Sequence, residues 1–160
     1  MTGTSRDIHS LLIPLQGASL LLPCATAAEI IPFTPPQPLS GAPPWLLGSI
    51  PWRERIVPLI AFEAVEGSPP PAPDPGDKIV VLNALGGHPQ LPFLALLAQG
   101  MPKIVKASRD NVTADEKGAK PLALASVRVD GQSALIPDLD ALERKLLEVW
   151  LRQGPPTGSE

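Results

Sequence analysis

The chain has 160 residues, 44% hydrophobic and 18% charged, a composition that suits one folded domain and excludes disorder of the whole. Its formal net charge is −3, with 13 basic and 16 acidic residues in no long run of one sign, which excludes the basic footprint of a nucleic-acid or anionic-lipid binder. One cysteine, Cys24, excludes an intramolecular disulfide and a cysteine-built zinc site, and fits a reducing cytoplasm.

Proline is the unusual residue. Its 22 copies, from Pro14 to Pro156, interrupt every long helical reading except one, because proline lacks an N–H and clashes inside a helix. Short strands and turns are therefore expected to dominate.

Residues 1–7 read as a frayed tail, followed by two apolar strands, Leu11 to Gln16 and Ala18 to Pro23, that meet at Gly17. Leu11 to Ala28 carries no charge and ends in small residues like a secretion-signal cleavage site. Arg6 is cancelled by Asp7, however, and Pro14, Gln16, Gly17 and Pro23 break the apolar run, so neither a cleaved leader nor a membrane span is expected. From Pro32 to Pro44 six prolines enforce an extended surface loop.

Trp45 to Ile50 and Arg55 to Phe62 form the next pair of strands, joined across Pro51-Trp52-Arg53-Glu54. Pro58 places the second of these at an edge or a bulge, because it cannot donate to a ladder. Gly67 to Asp77, with five prolines, is a semi-rigid spacer that separates two strand-rich halves. Beyond it Lys78 to Leu85, Leu91 to Gln99 and Lys103 to Ala107 read as strands, although Phe93 to Gln99 alone also fits a helix.

Ser108 to Lys120 is polar and expected to be mobile. Leu122 to Val129 and Gln132 to Ile136 then flank Asp130-Gly131, a hairpin turn whose residues both tolerate positive φ. Asp138 is positioned to cap a helix whose Leu139, Leu142, Leu146, Val149 and Trp150 share one face, ending near Gly154-Pro155.

Catalytic chemistry has little to work with. His9, His88 and Cys24 are the obvious nucleophile or base candidates, and none sits in a motif that would activate it. Gly86-Gly87 and Gly100 lack the spacing of a phosphate-binding loop. Asp138 and Asp140 are two carboxylates at a helix start, better explained by capping than by metal binding. No enzyme activity and no cofactor is expected.

The stretch Gly17-Ala18-Ser19-Leu20-Leu21-Leu22-Pro23 through Ala28-Glu29-Ile30-Ile31, followed by Ala42-Pro43-Pro44-Trp45 on to Pro58-Leu59, resembles the CheW family in the order of its features. The second block is the decisive one: an apolar strand and a glycine lead into a turn containing arginine, then an apolar run passes through proline. Gly48, Arg53 and Pro58 take those three positions. Pro51, Trp52 and Glu54 replace the usual Asn, Leu and Gly of the turn, Ala61 stands where aspartate is common, and Ala125 where glycine is. Leu91-Pro92-Phe93 to Gln99-Gly100-Met101-Pro102 also looks like the accessory CheW-type proteins of type IV pilus (twitching motility) chemosensory systems.

The resemblance implies a mainly β fold of two intertwined SH3-like five-stranded β-barrels with a C-terminal α-helix. It spans one domain over 8–153: a first subdomain at 8–66, the linker 67–77, a second subdomain at 78–137 and the helix at 138–153, with flexible tails at 1–7 and 154–160. It implies a non-catalytic cytoplasmic adaptor, recruited to receptor arrays, between a CheA-type histidine kinase and the cytoplasmic tip of a methyl-accepting chemoreceptor. Nucleic acid and direct membrane insertion have no part in it. Glu29, Gly48, Trp52, Arg53, Glu54 and Pro58 are the expected partner-binding residues. Glu29 and Arg53 are charges planted among apolar neighbours, and an ion pair between them is expected to fix the Pro51 to Glu54 turn. Trp45 is assigned to the core and Trp52 to either the core or a contact surface. The alternative is an exported SH3-like binding protein whose signal ends near Ala28.

Overall fold

The computed structural model describes residues 8–65, 67, 69–108, 111–114 and 123–153. In chain order they form β1 (Ile8–Pro14), β2 (Ser19–Pro23), a 3₁₀ turn (Cys24–Thr26), β3 (Ala27–Pro32), β4 (Leu46–Trp52), β5 (Arg55–Ile60), the single-turn α1 (Phe62–Val65), β6 (Lys78–Asn83) and β7 (Phe93–Ala98). β8 (Lys103–Ala107), β9 (Val112–Ala114), β10 (Ala123–Val129), β11 (Gln132–Pro137) and α2 (Leu139–Gln153) follow. The fold is mainly β with a C-terminal helix, as expected.

The strands make two sheets, ordered β8-β1-β2-β11-β10-β9 and β3-β6-β7-β5-β4. Each sheet takes strands from both sides of the proline-rich 67–77 stretch, so the two are intertwined. Most neighbours are antiparallel, while β2 with β11 and β5 with β7 run parallel and join early strands to late ones.

Neither sheet can lie flat. β8 and β9 stand at opposite ends of the first sheet, about 24 Å apart if its six strands were planar. Only residues 108–111 connect them, and that length of chain reaches no more than about 18 Å. The sheet therefore rolls, and Asn111 Nδ2 donates to the Lys106 C=O at 2.9 Å across the closing corner. The second sheet rolls as well, because Glu29 on one edge strand, β3, hydrogen-bonds Trp52 on the other, β4.

Rolling buries both faces of the central strands, which explains why they read as unbroken apolar runs and not as alternating ones. Along β6, Ile79 and Val81 point into the second barrel while Val80 and Leu82 join the core between the barrels. β7 repeats the division with Ala95 and Leu97 against Leu94, Leu96 and Ala98. In the first sheet Leu12 and Leu21 fill the barrel, and Leu11, Ile13, Leu20 and Leu22 face the shared core. This two-sided burial also settles Phe93 to Ala98 as strand.

α2 closes the shared core with Leu142, Leu146 and Trp150, all buried, and with the half-buried Leu139 and Val149 beside them. Asp138 caps it, its Oδ1 accepting the Ala141 N–H at 3.1 Å. Two further side chains tie the helix to the loop between β6 and β7. The Glu143 carboxylate accepts the N–H groups of Leu85 at 2.7 Å and Gly86 at 2.8 Å, and the Trp150 indole N–H donates to the Gln90 C=O at 3.0 Å.

Three expectations change. β5 is an internal strand, not an edge, and the register shift in its pairing with β4 lies at Leu46/Gly48 rather than at Pro58. Proline is tolerated there because pairing with β7 begins only at Leu59↔Ala95, just beyond it. β9 forms inside the polar stretch after Ser108, held by its pairing with β10, and adds a sixth strand to the first sheet. α1 begins at the last residue of the expected Arg55 to Phe62 strand, since Phe62 and Ala64 pack into the shared core from a helical turn.

A candidate partner-binding surface

The β4–β5 hairpin is closed by the Trp52↔Arg55 pair, leaving Arg53 and Glu54 as a two-residue turn. Both have positive φ, 49° and 62°, as a tight hairpin requires. For residues with a Cβ this conformation costs roughly 1–2 kcal/mol each. Neighbouring contacts hold the turn in place.

Arg53 stacks its guanidinium 4.7 Å from the Trp52 ring centroid and pairs with Glu29 Oε1 at 3.2 Å. That same oxygen accepts the Trp52 indole N–H at 2.9 Å. Trp52 meets Phe93 edge to face at 4.8 Å, and the Arg55 guanidinium lies 5.3 Å from the Phe93 ring centroid. Arg53, Trp52, Phe93 and Arg55 thus form a ladder of two adjoining aromatic rings, each carrying a cation.

Burial separates the roles within this ladder. Trp52 is 7% exposed and packs with Ile50, Val57 and Leu59 inside the second barrel, so it is both core filler and the base on which Arg53 rests. The Arg53 and Glu29 side chains are 64% and 40% exposed. An ion pair this wet contributes no more than about 1 kcal/mol, and each cation–π contact about as much. The geometry holds two guanidinium groups at defined places on the surface of an acidic chain.

The expected pair of Glu29 and Arg53 is therefore present, and it does more than fix a turn: with the indole bond it closes the seam between the edge strands β3 and β4. Glu54 is exposed at the tip of the turn. Gly48 and Pro58 are buried. Gly48 has φ of 147°, and a Cβ there would stand 2.3 Å from the Gln37 carbonyl oxygen. The glycine lets Gln37 approach and exchange two backbone hydrogen bonds with Ser49, at 2.8 and 3.0 Å. Trp45 is buried in the shared core, as expected.

Arg55 and Phe93 belong to the surface and were not anticipated. Arg55 carries a weak signal, its place beside the turn; Phe93 carries none, because only the fold brings it to Trp52. His9, Cys24 and His88 sit on β1, the 3₁₀ turn and the β6–β7 loop; His88 Nδ1 accepts the Gln90 N–H at 3.0 Å and so shapes its own turn. Among the described residues no three His, Cys, Asp or Glu side chains gather as a metal site, and no helix is long and apolar enough to cross a membrane.

Two rolled sheets around one shared core, closed by a capped helix, define a mainly β protein of paired barrels. The chain belongs to the CheW family: residues 9–146 match the CheW-like domain. The fold is similar to that of the scaffolding protein TtCheW from Thermoanaerobacter tengcongensis, with a TM-score of 0.70 over 87% of this chain and 89% of that one, at 13% sequence identity. No curated protein matches the sequence. Family and fold thus agree: the chain is a CheW-family member with a CheW-like fold.

Proposed function

We propose that this chain is a cytoplasmic adaptor that holds a CheA-type histidine kinase beside the cytoplasmic tip of a methyl-accepting chemoreceptor, in chemotaxis or in twitching motility. The observation that carries the reading is the CheW-like match across both barrels, 9–146, together with a strained, exposed hairpin held open on that scaffold. Such an adaptor acts by proximity. Tethering raises the effective concentration of kinase and receptor for one another, and a conformational bias passes between them without a covalent step.

In this reading Arg53, Glu54 and Glu29 touch the receptor, Trp52 supports them, and the buried Gly48 and Pro58 shape the hairpin. The whole of 8–153 acts as one unit, since each sheet uses strands from both sides of 67–77. The Leu91 to Pro102 string supports a role in a type IV pilus system. The exported alternative needs cleavage near Ala28, which would remove β1 and β2 and with them Leu11, Ile13, Leu20 and Leu22 of the shared core.

Co-purification with a CheA-type kinase and a receptor fragment tests the proposal. Ternary complex formation is expected, and R53E should lower receptor capture at least tenfold while leaving kinase capture unchanged. Failure to bind either partner defeats the adaptor reading.

A further inference from the structure

The β7-facing side of β5 is open where the hairpin begins. Because Trp52 and Arg55 close a two-residue turn, Arg55, Val57 and Leu59 direct their backbone groups to β4, and Ile56, Pro58 and Ile60 direct theirs to the β7 side. Pairing with β7 starts at Leu59↔Ala95, which leaves the Ile56 N–H and C=O without a ladder partner. Beside this edge lies a cleft of about 280 Å³, lined by Ile56, Pro89, Pro92, Phe93 and Trp150 among others. Pro89 and Pro92 have no N–H with which to close it.

Arg55 is the one charged residue lining the cleft among those described. Stacking over Phe93 holds it there, and its guanidinium has no ion-pair partner among the described residues. The cleft lies just below the roughly 300–1,000 Å³ of small-molecule sites and has an apolar wall, an open strand edge and a lone cation. Those three features answer to an extended chain with an acidic side chain: the edge to its backbone, the wall to an apolar residue and the guanidinium to a carboxylate.

We propose that this cleft docks an extended, acidic segment of a partner polypeptide, which adds to β5 at Ile56 and sets a carboxylate on Arg55. The cleft adjoins the Arg53–Glu54 tip through the Trp52–Phe93 stack without including it, and it stands whether or not the receptor and kinase reading holds.

The probe is a fluorescein-labelled, end-blocked Val-Glu-Val-Glu-Val peptide, titrated with the full chain in fluorescence polarisation. Saturable binding is expected, weakened at least tenfold by R55E and, independently, by Q90E, which brings a like charge to the cleft wall. Both positions are exposed, so Q90E should melt with the parent and R55E, which loses only its stack on Phe93, within about 4 °C of it. A Val-Lys-Val-Lys-Val peptide should prefer R55E to the parent, and N-methylation of alternate residues of the acidic peptide should abolish binding. The proposal is overturned if the acidic peptide does not bind at millimolar concentration, if R55E and Q90E bind it as well as the parent, or if the N-methylated peptide binds equally. Self-association of the chain that the peptide cannot displace would also overturn it, by naming a second copy as the occupant.

Discussion

Glu29 Oε1 is asked to serve two donors, the Trp52 indole and the Arg53 guanidinium, and this sharing makes the cluster cooperative. W52F keeps an aromatic ring in the barrel but removes one donor and some buried area, and should destabilise by about 1–2 kcal/mol in urea unfolding. E29A alone should have a smaller effect. The double variant should fall short of the sum of the two, because both changes break one bond; additive values would show that the indole and the carboxylate are energetically independent. At Glu143 the stakes are higher. It is 6% exposed and carries two short bonds from Leu85 and Gly86, so E143A strands two backbone donors and should cost about 2–4 kcal/mol in the same measurement.

Turns and caps were the most legible parts of the chain because their chemistry is local. Asp130-Gly131 announces its hairpin and takes φ of 51° and 85°, and Asp138 caps α2 where a capping residue precedes an apolar stripe. The Arg53-Glu54 turn uses the same geometry with less suitable residues. E54G should therefore stabilise the chain by about 0.5–1 kcal/mol by relieving positive φ, while weakening receptor capture if Glu54 contributes a contact. A loss of stability would mean that Glu54 makes favourable interactions outweighing its strain. β9 and α1 escaped notice for a different reason: three and four residues are too few to show a period, and each exists because of what lies beside it.

At the scale of the molecule the two barrels cannot be separated by cutting the chain in its proline-rich stretch. Fragments 1–72 and 73–160 would each hold incomplete pieces of both sheets. Expressed alone, neither should give the circular dichroism of a folded β protein; mixed, they should recover it and melt as a unit. Independent folding of either half would contradict the shared core seen between the barrels. Relative order in the sheets was the part least accessible to sequence reasoning. Apolar runs such as Ile79 to Leu82 state that a strand is buried on both faces but not which strands cover it. The same holds at the surface: Glu29 and Arg53 stand out as charges in apolar company and Arg55 lies beside their turn, whereas Phe93 joins them only through the parallel contact of β5 with β7.

By itself, then, the sequence of this CheW-family chain determined the mainly β class, the hairpins, the capped helix and the charged pair, because turn chemistry, periodicity and burial pattern act over a few residues. Tertiary structure alone decided that β5 is internal, that β8 and β9 close a barrel, and that one carboxylate seals the seam of another. Those outcomes depend on which apolar faces find each other across the chain, and many pairings of the same strands would satisfy the local rules equally well.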